Sequence, residues 1–163
     1  FSYFLYKNLL DKINIKKENI HLLNGNKDAN QECRAYENKI KSNKIGLQLL
    51  GIGRNGHIGF NEPGSNFKST TRKVSLSAAT REYNSKFFSS IKEVPNYALT
   101  LGLSTIMKSK KIILLATGKN KAEAVNDLIN GPIKNKVPAS ILRKHKSCLL
   151  IADRAAASRF HKI

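Results

Sequence analysis

The amino-acid sequence predicts an α/β fold, a doubly wound, mostly parallel sheet flanked by helices. Three compact apolar runs, at 45–51, 111–117 and 147–153, have the length and composition of strands buried on both faces. The stretches between them carry apolar residues at helical spacing. Glycines at 51 and 118 punctuate two of the strand ends, where an open α/β sheet places its ligand-binding loops. Neither an internal repeat nor a linker interrupts the pattern, so residues 1–163 are expected to form one domain or part of one.

In chain order, Phe1, Phe4, Leu5, Leu9 and Ile13 fall on one helical face. The segment Glu18-Asn-Ile-His-Leu-Leu-Asn-Gly25 alternates and ends in Asn-Gly, which predicts a short strand and a turn. Asp28 can cap the next helix, with Gln31 completing a capping box. Along that helix Ala29, Cys33, Tyr36 and Ile40 form the apolar stripe, and Glu37 is placed to pair with Lys41. The buried strand at 45–51 then feeds a stretch, 54–70, rich in Gly, Asn, Ser and Pro and read as loop. Arg72-Lys-Val-Ser-Leu-Ser77 reads as a strand and 80–90 as a helix; Pro95 breaks the chain before 97–107, which the pattern does not divide between strand and helix. After the strand at 111–117, Gly118 turns into a helix carrying Ala122, Val125, Leu128 and Ile129, ended by Gly131-Pro132. The third strand leads into an Ala-rich terminal helix.

Composition narrows the function classes. Forty per cent of residues are hydrophobic, enough for a packed core rather than disorder. No run of about 18 apolar residues could span a membrane, and Phe1-Ser-Tyr-Phe-Leu-Tyr-Lys7 lacks the form of a secretory signal. Cys33 and Cys148 match no metal spacing and are expected to be buried, reduced thiols in a cytoplasmic protein. Lys and Arg number 29 against 11 acidic residues, a formal net charge of +18. Such an excess can mark a nucleic-acid binder. Here the basic residues are scattered from Lys7 to Lys162, and the densest stretches, 108–111 and 143–146, precede apolar runs as solvated strand approaches. That distribution speaks against nucleic acid and for an attraction toward small anionic substrates.

Gly51-Ile-Gly-Arg-Asn-Gly56 spells the glycine pattern of a dinucleotide-binding turn directly after a strand. Two further requirements fail. Gly59 and Pro63 oppose a helix at the third glycine, and no Asp or Glu from 63 through 81 could hold a ribose. No cofactor is expected. The same loop carries Asn55, His57, Asn61 and Glu62. A histidine near neutral pKa can pass protons both ways, a nearby carboxylate can hold its ring, and an asparagine can orient either by hydrogen bonds. No second ligand at metal spacing accompanies His57, and no nucleophile elbow occurs.

The stretch Leu47-Gln-Leu-Leu-Gly-Ile-Gly-Arg-Asn-Gly-His-Ile-Gly-Phe-Asn-Glu-Pro-Gly-Ser65 resembles the signature of the glucosamine-6-phosphate deaminases. Further collinear blocks agree, among them Ile20-His-Leu-Leu-Asn-Gly25, Val94-Pro-Asn-Tyr-Ala-Leu-Thr-Leu-Gly102 and Gly118-Lys-Asn-Lys-Ala122. The resemblance implies a Rossmann-like domain acting on a sugar phosphate, turning glucosamine 6-phosphate and water into fructose 6-phosphate and ammonium. His57 would be the ring-opening acid/base, assisted and oriented by Glu62 and Asn55. Lys121 would bind the phosphate at the start of a helix, and Lys86, at a position where the family usually has arginine, would be a second contact without the bidentate fork. A homo-oligomer is compatible with it. Members of the family begin well before the point matching Phe1, and that stretch holds a glycine-rich phosphate loop and the aspartate that moves the proton between C2 and C1. The chain is therefore expected to be the C-terminal two-thirds of the family domain, unable to complete catalysis alone. A 6-phosphogluconolactonase shares the fold and a Gly-His loop, but Phe60-Asn-Glu-Pro63 has the deaminase form. A sugar-phosphate sensor without turnover is the remaining alternative.

Overall fold

A computed structural model describes residues 2–160. Its centre is a three-stranded parallel sheet of order β1 (Leu47–Gly51), β4 (Lys111–Ala116), β5 (Cys148–Ala152). A separate antiparallel ribbon pairs β2 (Arg72–Ser75) with β3 (Tyr97–Thr100). The helices among the described residues are α1 (Ser2–Asn8), α2 (Ala29–Asn43), α3 (Ala78–Ser85), α4 (Leu103–Ile106) and α5 (Ala122–Asn130), with 3-10 turns between them. The α/β class expected from the apolar runs holds, and all three runs are strands of the one parallel sheet.

One face of that sheet builds the core. Alternation sends Leu50, Ile112, Leu114 and Ala116 inward against Val125 and Leu128 of α5 and Leu142 of the 3-10 segment Pro138–Lys144. Each of the Leu, Ile and Val side chains contributes roughly 1.5–3 kcal/mol by leaving water. Arg143 closes the layer by donating to the carbonyls of Ile129 and Gly131 at the end of α5, where the helix leaves acceptors unpaired. The opposite face is different. Leu47, Leu49, Leu115, Leu149 and Ile151 remain exposed, so the strands are half-buried rather than buried on both faces as their sequences suggest.

Several local expectations change. Residues 20–24 form no strand; a 3-10 turn at Lys17–Asn19 precedes them. The helix expected over 1–13 stops at Asn8 and gives way to a 3-10 turn at Leu10–Lys12, with Phe4, Leu9 and Ile13 in solvent; Phe1 lies outside the described residues. The Ala-rich segment after β5 is a series of turns, not a helix, and 161–163 lie outside the described residues. The undivided stretch at 97–107 resolves into β3 and α4. The cap of α2 is as expected, Asp28 accepting from the Gln31 N–H at 2.9 Å. Glu37 does not pair with Lys41. It turns inward and accepts from Thr71 N–H at 2.8 Å and from the hydroxyls of Thr71 and Thr105 at 2.5 Å each. Cys33 is buried, whereas Cys148 at the start of the edge strand β5 is exposed.

Candidate active site

The chain leaves β1 at its C-terminal end and makes a tight turn closed by Gly53 N–H to the His57 carbonyl and Gly56 N–H to the Gly53 carbonyl. The His57 ring lies flat against Gly53. A Cβ there would stand 2.1 Å from the imidazole, so any side chain at this position would displace the ring. No helix starts at the third glycine: Gly56 has a φ of +78° and the loop continues through two isolated bridges, Ile52 to Ile58 and Ile58 to Asn61. The dinucleotide reading is thereby excluded on geometry as well as on sequence.

Three of the sequence-predicted site residues meet in this loop. His57 Nδ1 lies 2.7 Å from Asn55 Oδ1, and Asn55 Nδ2 donates to Glu62 Oε2 at 2.8 Å. The carboxylate can only accept, so it fixes the amide with its NH2 toward Glu62 and its carbonyl toward histidine. A carbonyl facing Nδ1 requires a proton on that nitrogen. The imidazole is thus held as the Nδ1–H tautomer, with Nε2 left as its basic atom. Glu62 Oε1 stands 3.6 Å from Nδ1 and also accepts from the Thr80 hydroxyl at 3.0 Å. Burial lowers the His57 pKa below 6.5; Glu62 works to raise it and the Lys121 ammonium to lower it further. The ring is neutral near pH 7, ready to take a proton.

A buried brace supports the loop. Asn61, fully buried, donates to the carbonyls of Ile58 at 2.9 Å and Leu101 at 2.8 Å, and accepts from the Arg72 guanidinium at 2.8 Å. It ties the histidine turn to the ribbon β2–β3.

Lys121 sits at the N-cap of α5, beyond the C-terminal end of β4, half-buried. Burial lowers its pKa, Tyr83 acts to raise it and Arg54 to lower it. Its charge works to lower the His57 pKa. Lys86 is the C-cap of α3 and exposed, its ammonium 4.2 Å from the Tyr83 ring centre and 5.2 Å from that of Phe87. No direct bond joins Lys86 to the histidine network. Among the described residues no group of His, Cys, Asp and Glu is arranged to hold a metal ion, and no helix is long and apolar enough to cross a membrane. Sequence reasoning passed over Thr80 as a partner of Glu62; Thr80 lies in the first turn of α3, where its N–H donates to the Ser77 hydroxyl at 3.1 Å.

Residues 3–151 match the family model of glucosamine-6-phosphate isomerases and 6-phosphogluconolactonases. The chain belongs to this family. It is 51% identical over 160 residues to a glucosamine-6-phosphate deaminase of Thermoanaerobacter sp. strain X514, covering 97% of this chain and 63% of that protein. It is likewise 51% identical over 159 residues to a glucosamine-6-phosphate deaminase of Clostridium acetobutylicum, covering 96% of this chain and 66% of that one. A solved monomeric glucosamine-6-phosphate deaminase superposes with a TM-score of 0.92 at 46% identity, over 96% of this chain and 66% of its own. The chain thus spans a little under two-thirds of the Thermoanaerobacter relative. Within the family, the resemblance read from the histidine loop lies on the deaminase side.

Proposed function

We propose that this chain carries the ring-opening and phosphate-holding part of a glucosamine-6-phosphate deaminase site. The observation that carries the reading is the Glu62–Asn55–His57 relay, which fixes a neutral imidazole with Nε2 as its basic atom. Opening a pyranose requires a proton to leave the anomeric hydroxyl and another to reach the ring oxygen. One imidazole can serve both, accepting at Nε2 and returning the proton as the C–O bond breaks. Transient imidazolium is favoured by Glu62, 3.6 Å from Nδ1. Lys121, partly desolvated beside this loop, would hold the phosphate and so set the sugar against His57, and Lys86 would add a second positive charge from α3. Moving the C2 proton to C1 requires a further base, which this relay does not supply.

Relatives named glucosamine-6-phosphate deaminase at about half identity support the substrate class. In a binding experiment the chain is expected to take up glucosamine 6-phosphate, with NMR shifts at His57 and Lys121, and to bind unphosphorylated glucosamine far more weakly. It should hydrolyse no 6-phosphogluconolactone. Lactone hydrolysis without glucosamine 6-phosphate binding would contradict the reading.

A further inference from the structure

Asp153 stands one residue beyond β5, next to the loop that leaves β4 toward Lys121. Its own N–H extends the parallel ladder by donating to the Ala116 carbonyl at 3.1 Å. Both carboxylate oxygens are then engaged by backbone. Oδ1 accepts from Ala156 N–H at 2.7 Å, which fixes the side chain on its own turn. Oδ2 accepts from Gly118 N–H at 2.9 Å, across the gap to the neighbouring strand end. Gly118 in turn accepts the Lys121 N–H on its carbonyl at 3.0 Å. Two successive hydrogen bonds therefore run from the Asp153 carboxylate through one residue, Gly118, to the lysine that precedes α5. Gly118 has a φ of +88° and a ψ of 150°, a conformation a residue with a side chain resists, and the two hydrogen bonds hold the turn in it.

We propose that Asp153 is a positioning residue for the Lys121 phosphate contact, holding the β4–α5 turn so that the ammonium faces the His57 loop. The role rests on Lys121 being the phosphate contact. A carboxylate close to an anion site is otherwise unfavourable; here its charge is spent on backbone amides. Those bonds, from Ala156 and then Gly118, also hold its carboxyl below the usual carboxylate range.

The sign of one substitution separates this role from a bystander charge. Asp153→Asn removes a negative charge, which by simple Coulomb attraction should tighten anion binding. It also removes one of two acceptors, since an amide offers a single oxygen. Positioning predicts that glucosamine 6-phosphate and inorganic phosphate bind the variant about tenfold more weakly than the unaltered chain. His57 gives a second readout in the free protein, followed by 15N NMR titration. Lys121 lowers the His57 pKa, so Lys121→Gln should raise it, and Asp153→Asn should raise it too by letting the ammonium drift away. The double variant should shift it no further than Lys121→Gln alone. Loss of a bystander carboxylate would instead lower the His57 pKa or leave it in place. Unchanged or tighter phosphate binding, with an unmoved or lowered His57 midpoint, would overturn the proposal. Should the unaltered chain bind neither phosphate probe, the functional reading fails, and the His57 titration across the three variants still decides whether Asp153 places Lys121. Thermal melts confirm that the comparison is between folded chains.

Discussion

His57 is held by opposing influences, and removing each has a definite sign. Burial and Lys121 push its pKa down while Glu62 pushes it up. In an NMR titration the midpoint should lie below 6.5. It should fall further in Glu62→Gln, as the stabilising carboxylate is lost, and rise in Lys121→Gln. A midpoint above 6.5 in the unaltered chain would refute the neutral-ring assignment. Linkage follows the same direction: a histidine whose folded pKa is depressed contributes stability above the unfolded value, lost as pH falls through the folded one. Asn55 acts by geometry alone. Asn55→Leu removes both the carbonyl facing Nδ1 and the amide facing Glu62, and leaves the tautomer unspecified. Catalysed ring opening should drop by roughly two orders of magnitude, as for loss of a general acid–base contact, with substrate affinity little changed. At this scale the sequence was informative because Asn55, His57 and Glu62 are close along one loop. It was silent on Asp153 and Thr80, whose partners lie 35 and 18 positions away.

At the scale of elements, helix α2 is fastened by a buried charge. Glu37 accepts three hydrogen bonds from Thr71 and Thr105, joining α2 to the turn before β2 and to α4. Burial works to raise its pKa, but the bonds from Thr105 and Thr71, with the charge of Lys108, bring it below 4.5. A depressed carboxylate contributes stability that is present above its unfolded value and lost as pH falls through its folded one. Glu37→Ala should therefore destabilise the chain by roughly 3 kcal/mol at neutral pH, leaving two hydroxyls and an N–H without their acceptor. The loss should shrink in melts below about pH 4 as the native glutamate itself protonates. Equal stability of the two chains at pH 7 would count against the role. An i to i+4 reading paired Glu37 with Lys41 on the surface, because local spacing cannot show that Thr71 and Thr105 arrive from elsewhere. The helices α2 and α5 were legible from their caps and periodicity. The supposed strand at 20–24 was not, since alternation is a necessary pattern that forms a strand only where another strand offers its edge.

At the scale of the whole molecule, the sheet is covered on one side only among the described residues. Leu47, Leu49, Leu115, Leu149 and Ile151 form an exposed aliphatic surface on strands whose sequences have the look of two-sided burial. Parallel sheets are ordinarily covered on both faces. The apolar runs thus specify the strands and the class of fold, while periodicity within the runs does not encode which of their two faces is covered. An apolar dye such as ANS should bind this chain in its folded state, and replacing Leu49 and Leu149 with Lys should reduce the fluorescence by more than half while shifting Tm by only a few degrees. Retained fluorescence in that double variant would place the dye elsewhere. The central claim is that the Glu62–Asn55–His57 relay opens the sugar ring. Magnetisation exchange between the α and β anomers of glucosamine 6-phosphate measures ring opening directly and needs no later chemical step. The folded chain should accelerate that exchange, and His57→Gln should return it to the uncatalysed rate. An exchange rate that the unaltered chain, with sugar phosphate bound, leaves at the uncatalysed value would contradict it.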